Sequence, residues 1–231
     1  MTSIPKISGN LLCYDEVKNI ESCINNFLPY VDELVILDGG STDGTIDIIK
    51  NKIKETDKVI KLHIIPQDSS KLTRWDRKYD IQGEKAKKWN QPYRRNWLIN
   101  SSNYDWILEK DTDEYFGDEL HNFLSKCDFK AVGYKFQWCH IFKKGNEYVV
   151  RIDGSFNPKT IKICLYQKKL IRYENVLVHP KKIYVDGRKS PWENMSHVDV
   201  PLWHFPFIDE QVQGKYIPIK KLNFKVPDII K

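Results

Sequence analysis

Apolar positions along the chain switch between two rhythms. Ile4 to Cys13 carries a short apolar run broken by Gly9. From Asp15 or Glu16 onward, Val17, Ile20, Ile24, Phe27 and Leu28 fall at helical spacing until Pro29. Leu34-Val35-Ile36-Leu37 is continuously apolar, as expected of a strand buried on both faces. Asp43 to Ile53 reads as a second helix, and Val59 to Ile65 as a strand ended by Pro66. This β-α-β-α-β order predicts a parallel sheet with right-handed crossovers. Residues 67–92 are polar, basic and aromatic, and predict a long loop of the kind that is functional or mobile. A helix follows from Tyr93 to about Asn100. Trp106-Ile107-Leu108 predicts a further buried strand, and a short helix after Gly117 turns Leu120, Phe123 and Leu124 inward.

Beyond Ala131 the rhythm changes. Val132–Trp138, Tyr148–Ile152, Thr160–Tyr166 and Ile183–Val185 are short β-rich pieces between Gly, Asn and Pro turns. They predict antiparallel or mixed strands added to the parallel core. The tail from Gln211 is Lys-rich with few helix signals. No repeat at a 20–50-residue period and no composition break divides the chain. Its 231 residues therefore read as one α/β domain.

The net charge of +6 admits a phosphorylated ligand, a nucleic acid or a membrane surface, although a solvated lysine-rich exterior accounts for most of it. Seven Trp residues, several among polar neighbours, suit a binding surface. Cys13, Cys23, Cys127, Cys139 and Cys164 are odd in number and show no CxxC spacing. That argues for reduced, mostly buried thiols in a cytoplasmic setting and against a disulfide framework or a zinc ribbon. The start, MTSIPKISGN, lacks the apolar stretch of a signal peptide. No apolar run reaches the ~20 residues that span a bilayer, so any membrane association is expected to be peripheral.

Two motifs carry chemistry. Asp38-Gly39-Gly40-Ser41-Thr42-Asp43-Gly44-Thr45 directly follows the Leu34–Leu37 strand. Ligands in open α/β sheets bind beyond the carboxyl ends of strands. Gly39 and Gly40 remove side chains there, and Ser41, Thr42 or Asp43 can cap the next helix. The spacing is neither GxGxxG nor a P-loop. The second motif, Glu109-Lys110-Asp111-Thr112-Asp113-Glu114, sets four carboxylates within six residues after Trp106-Ile107-Leu108. If extended, it puts Glu109, Asp111 and Asp113 on one side and turns Glu114 away. Crowded carboxylates raise one another's pKa, a penalty that a divalent cation removes, and hard oxygen ligands suit Mg²⁺ or Mn²⁺.

The two motifs, together with Tyr14-Asp15-Glu16, Asn19-Ile20 and Arg95-Asn96, resemble family 2 glycosyltransferases over roughly residues 4–120. Their order and spacing are similar to the lipopolysaccharide-core glucosyltransferase branch, whose acidic motif ends Asp-x-Asp-Glu. The resemblance implies a GT-A fold: Rossmann-like, with a mainly parallel central sheet flanked by helices and further mixed strands in the C-terminal half. It implies a nucleotide-sugar-binding half over residues 1–120 and an acceptor-binding half with a tail over 121–231. Tyr14 and Glu16 would seat ribose and base, Asp38 would contact the base beside Gly40, and Arg95 would approach the nucleotide. Asp111 would face ribose or metal, and Asp113 would hold Mn²⁺ or Mg²⁺ on the diphosphate. A UDP-sugar is the favoured donor and a carbohydrate or glycolipid the acceptor, with inversion at the anomeric carbon.

Arg74, Arg77 and Lys78 could add positive charge near the leaving diphosphate. His179, in Val176-Leu177-Val178-His179-Pro180, resembles the branch's Val-His-Glu element, with Pro180 in place of the Glu. His204, beside Trp203, resembles its later histidine, and either His179 or His204 could complete the metal site, with His204 the preferred ligand. For the base, His179, Asp153 and Glu193 are the candidates, with Asp199 a further one. His63, His121, His140 and His197 stand without supporting context. No GxSxG elbow and no zinc spacing is present. Two other readings are a non-catalytic nucleotide-sugar or glycan-binding module, which the loss of the Glu after His179 favours, and a nucleic-acid binder. The latter lacks any recognisable module, and the acidic run would repel phosphates.

Overall fold

A computed structural model of the chain describes residues 4–66, 91–144, 147–151, 161–174, 181–186, 191–205 and 216–218. Strand β1 (Ile7–Cys13) leads to helix α1 (Ile20–Phe27), strand β2 (Glu33–Asp38), helix α2 (Thr45–Glu55) and strand β3 (Val59–Ile64). Helix α3 (Gln91–Ser101) precedes β4 (Trp106–Lys110), β5 (Glu114–Phe116) and the short α4 (Glu119–Leu124). The rest is strand: β6 (Gly133–Lys144), β7 (Glu147–Arg151), β8 (Ile161–Gln167), β9 (Ile171–Tyr173), β10 (Lys182–Tyr184), β11 (Ser196–His204) and β12 (Tyr216–Pro218).

The main sheet runs β12-β7-β6-β8-β4-β1-β2-β3, with β11 beside β6 and β5 beside β11. The β1–β2, β2–β3 and β1–β4 pairs are parallel. The β4–β8, β6–β8, β6–β7 and β7–β12 pairs are antiparallel. The β11–β6 pair is parallel and the β11–β5 pair antiparallel, so a parallel core with mixed additions is the observed class. β9 and β10 form a separate two-stranded antiparallel sheet.

The continuous apolar run of β2 is explained by burial on both faces. Leu34 and Ile36 join the core that α1, α2 and α4 cover, whereas Val35 and Leu37 pack with Leu98 and Trp97 of α3. Helix α1 buries Ile20, Cys23, Ile24 and Phe27 on one face, and Phe27 meets Phe116 at 5.8 Å between ring centroids.

Some boundaries differ from the sequence reading for identifiable reasons. Pro29 does not stop the chain's coiling but enters a single 3₁₀ turn, Leu28–Tyr30, in the early position that tolerates proline. Pro92 likewise sits in the first turn of α3, which starts at Gln91. Strand β11 was illegible because Pro201 interrupts it. The strand survives through a register shift between Val198 and Pro201.

Candidate functional site

Three parallel strands leave the sheet at one edge. Cys13 of β1 is opposite Asp38 of β2, and Leu11 is opposite Lys110 of β4. The loops after β1, β2 and β4 are therefore neighbours at the carboxyl edge, where α/β folds bind ligands. Their polar residues stitch the first two loops together. Asp15 N–H donates to Ser41 Oγ at 2.8 Å, Thr42 N–H to Asp15 Oδ1 at 2.8 Å, and Glu16 N–H to Thr45 Oγ1 at 2.8 Å. Gly44 is the N-cap of α2; Asp43, just before it, accepts Thr45 N–H at 3.0 Å and Val17 N–H at 2.9 Å. Tyr14 and Glu16 are half-buried on this rim, and Glu16 accepts Asn19 Nδ2–H at 2.9 Å.

Asp38 is wholly buried, and its carboxylate organises its own turn. Oδ1 accepts Gly40 N–H and Ser41 N–H at 2.7 Å each; Oδ2 accepts Ser41 Oγ–H at 2.6 Å and faces Cys13 Sγ at 3.3 Å. Gly40 has φ +84°, and a Cβ there would meet Pro66 Cα at 3.0 Å. Asp38 therefore shapes the strand-to-helix turn from beneath. Contact with a base would require its present hydrogen bonds to be exchanged.

The acidic run does not stay extended. β4 ends at Lys110, and Glu114 N–H donates to Asp111 C=O at 3.2 Å across a tight turn before β5. This reverses the placing of Glu114: it points inward, fully buried, and accepts Asp111 N–H at 2.7 Å. Nor is carboxylate crowding left for a metal alone to relieve, because cations are built in. Lys162 Nζ donates to Asp111 Oδ2 at 2.8 Å and to both Glu114 oxygens at 2.7 Å. Arg95 Nη2 donates to Asp111 Oδ1 at 2.5 Å. Glu109 is met by Lys182 Nζ at 2.5 Å, Tyr166 O–H at 2.5 Å and Tyr173 O–H.

Burial alone would push Asp111 and Glu109 up. The neighbouring cations outweigh it: Arg95 and Lys162 hold Asp111 well below the usual carboxylate range, and Lys182 and Arg95 lower Glu109. Lys162, buried but flanked by Asp111 and Glu114, stays charged far above neutral pH. Lys110, the remaining cation of the run, is buried. It donates to Glu114 C=O at 2.5 Å and lies 5.0 Å from the centroid of the Tyr115 ring.

Asp113 is different. Among the described residues it has no Lys or Arg partner; its carboxylate meets His204 Nε2 at 3.1 Å. The β11–β5 pairing sets His204 opposite Glu114, and Phe205 N–H donates to Asp113 C=O at 2.9 Å, so the strand end and the acidic turn are locked together. His204 Nδ1 lies 2.7 Å from His140 Nδ1. Burial, with His204 and Lys162 nearby, pushes His140 down to about 3, so its ring is neutral at physiological pH.

Asp38, Gly40, Tyr14, Glu16, Arg95, Asp111, Asp113 and His204 thus all lie on or beside the three neighbouring loops. Glu193 does not join them by any contact and is exposed on a 3₁₀ turn, Pro191–Asn194, as Asp199 is exposed on β11. Asp153, His179, Arg74, Arg77 and Lys78 lie outside the described residues. Sequence reasoning missed Lys162, Lys182, Tyr166, Tyr173 and His140. The available signal was electrostatic: four acids after a buried strand demand cations, and the β-rich half supplies lysines inside its strands. Among the described residues no group of three or more His, Cys, Asp or Glu is disposed to hold a metal. No described helix is long and apolar enough to cross a membrane.

The parallel core with its mixed additions has the GT-A fold of its structural neighbours. The family model described as Glycosyl transferase family 2 matches residues 11–69, which run from the end of β1 past β3 and include the Asp38 turn. A 122-residue stretch is 26% identical to the SPbeta prophage-derived glycosyltransferase SunS of Bacillus subtilis, and equally to the glycosyltransferase SunS of Bacillus phage SPbeta. That stretch is 53% of this chain and 23% of SunS, so the match spans about a quarter of those relatives. S. aureus TarS, residues 1–349, superposes with a TM-score of 0.51 at 14% identity, covering 87% of this chain and 60% of that one. The same TarS fragment solved in complex with UDP-GlcNAc gives a TM-score of 0.52 at 13% identity, over 89% and 60%.

Proposed function

We propose that this chain transfers a sugar from a nucleotide-sugar donor to a carbohydrate or lipid-linked acceptor, at the edge where β1, β2 and β4 end. The observation that carries the reading is the division of labour in the acidic turn. Glu109, Asp111 and Glu114 are each matched by an internal cation, while Asp113 is matched only by an imidazole. Among the described residues, Asp113 is therefore the carboxylate of the acidic turn without a Lys or Arg partner, and it is left to meet an external cation.

Asp113 and His204 fit a divalent ion by donor chemistry. One carboxylate oxygen and one imidazole nitrogen suit Mn²⁺ or Mg²⁺ when phosphate oxygens and water supply the other positions. Such an ion would neutralise the departing nucleoside diphosphate. The residues of the chain do the rest. Arg95, fixed on Asp111, turns positive charge toward the same edge, and Asp111 is held ionised to accept a ribose hydroxyl. Tyr14 and Glu16 lie on the rim where ribose and base would be seated, and the tight Gly40 turn leaves room for backbone approach. An acceptor hydroxyl attacking the anomeric carbon opposite the leaving diphosphate gives inversion. The base that takes its proton is sought first at Asp153 and His179, with Glu193 and Asp199 the less favoured candidates because they are exposed and make no contact with the loops.

The local sequence match to the family 2 model and the likeness to a fold solved with UDP-GlcNAc support a nucleotide-sugar donor, and UDP-sugars are the first to test. The lipopolysaccharide-core branch, a peripheral membrane site and a cytoplasmic location remain part of this proposal. A panel of UDP-, GDP- and dTDP-sugars, incubated with the protein and Mn²⁺, is read by mass spectrometry for nucleoside diphosphate release. Slow hydrolysis of one donor class, lost in Asp113→Asn, supports the reading. No release from any donor, together with no binding of any nucleoside diphosphate, would remove it.

A further inference from the structure

Resting on the nucleotide-sugar reading above, we propose that Arg94 selects the base of the donor by donating its Nε–H and Nη2–H to an exocyclic carbonyl oxygen. That oxygen stands at C4 of uracil and thymine and at C6 of guanine, where cytosine and adenine carry an amino group. Arg94 is 1% exposed, yet its guanidinium meets a single acceptor: Nη1 donates to Ile65 C=O at 3.3 Å. Nε and Nη2 are buried without a hydrogen-bond partner. A guanidinium keeps its charge inside a protein, and a buried polar group left unmatched in a folded chain calls for a partner that binding supplies. The unmatched atoms form one side of the planar fork, the geometry that grips an oxygen acceptor with two parallel bonds.

The position of Arg94 narrows what that partner is. Residues four apart share a helix face. Arg94 lies in the row of Leu98, which packs on Val35 and Leu37 of β2, whereas Arg95 lies in the row of Ile99, which packs with Ile107 of β4 and Tyr173 of β9. The two arginines therefore diverge: Arg95 turns to Asp111 in the acidic turn, and Arg94 to the chain that leaves β3. Ile65 N–H donates to Asp38 C=O at 3.0 Å and Pro66 lies against Gly40, so the Arg94 head sits beside the Asp38 turn. Asp38 does not answer it. Its carboxylate already takes Gly40 N–H, Ser41 N–H, Ser41 Oγ–H and the Cys13 thiol, which fill its roughly four lone-pair sites. Burial lowers the Arg94 pKa, and its acidic neighbours Cys13 and Asp38 oppose that only in part. The diphosphate belongs with the other arginine, beside the acidic turn on β4. The acceptor left for Arg94 is a neutral oxygen on the base, and arginine donating to guanine O6 is a recurrent contact of this kind. An amino group at that place would set donors against donors and leave both sides unpaired.

The test is isothermal titration of the full chain in Mn²⁺ with two nucleotide pairs, UDP against CDP and GDP against ADP, and a thermal melt of each variant. Arg94→Met keeps the aliphatic length and removes the unmatched charge; Arg94→Lys keeps the charge without the planar fork. Wild type should bind UDP or GDP roughly 10–100-fold more tightly than its amino counterpart. In both variants that ratio should fall to within about threefold of unity. Arg94→Met should melt no lower than wild type, because it removes a buried charge without breaking an ion pair. If that variant does not fold, the ratio in Arg94→Lys decides alone. A wild-type chain that binds the amino counterpart as tightly, variants that keep the wild-type ratio, or equal weakening of both members of a pair would each overturn the assignment while leaving the functional reading intact. Wild-type protein that binds none of these nucleotides would overturn both.

Discussion

Lys162→Met is the most informative perturbation of the acidic turn. It removes an ammonium that bonds Asp111 Oδ2 at 2.8 Å and both Glu114 oxygens at 2.7 Å, while keeping most of the side-chain volume. The Glu114 side chain is fully buried, that of Lys162 is 17% exposed and that of Asp111 is 35% exposed. Taking one partner from a buried ion pair costs about 3–5 kcal/mol, because the remaining charge is stranded. Asp111 keeps Arg95 at 2.5 Å and has water access, so its share is discounted. The cost falls mainly on Glu114, which retains only Asp111 N–H among the donors described above, and about 3 kcal/mol is expected. At about 2–4 °C per kcal/mol for a chain of this size, the melting temperature should drop by about 6–12 °C. Calorimetry and urea unfolding at pH 7 measure it. Adding Glu114→Gln removes the stranded charge and should recover about half of the loss or more. A single variant within about 1 kcal/mol of wild type, or a double variant less stable than the single, would refute the claim that these buried carboxylates rely on Lys162.

Asp111 sets a pH dependence whose sign follows from its folded pKa lying below the unfolded value near 3.8. Its stabilisation is complete above that value and is lost as pH falls below it toward the folded pKa, so Asp111→Asn should lower stability at pH 7 and flatten the acid limb in urea titrations between about pH 5 and pH 2. Gly40→Ala forces a side chain into a left-handed backbone against Pro66; a loss of about 1–3 kcal/mol in urea unfolding is expected, and an unchanged midpoint would contradict the turn described for Asp38.

The parts of the fold that local pattern controls were legible. The run Leu34–Leu37 predicts a strand buried on two faces, and its residues alternate between two cores as predicted. The acidic cluster was visible because charged groups rarely follow a buried strand without a task. What the sequence concealed depends on long-range pairing. The cations that settle Asp111 and Glu109 come from 51 and 73 residues downstream, on β8 and β10. Nothing in a period of two or 3.6 announces such partners. Glu114 was misplaced for a related reason. The extended-chain geometry assumed for Glu109–Glu114 gives way to a turn at Asp111–Asp113, and a turn exchanges inward and outward directions. His140 carries no motif of its own, and it acquires meaning only from the β6–β11 register.

The proposal under test is that Asp113 and His204 would hold a divalent cation to neutralise a nucleoside diphosphate bound at the edge of β1, β2 and β4. Isothermal titration of UDP, GDP and dTDP into the wild-type chain and into Asp113→Asn, each with Mn²⁺ and with EDTA, tests it most directly. The account predicts that one of the three binds wild type, that EDTA weakens it at least about tenfold, and that the Asn variant shows the weak affinity whether or not Mn²⁺ is present, a difference of about 1.4 kcal/mol or more. Equal affinity of wild type and variant in Mn²⁺, or binding of none of the three, would contradict it.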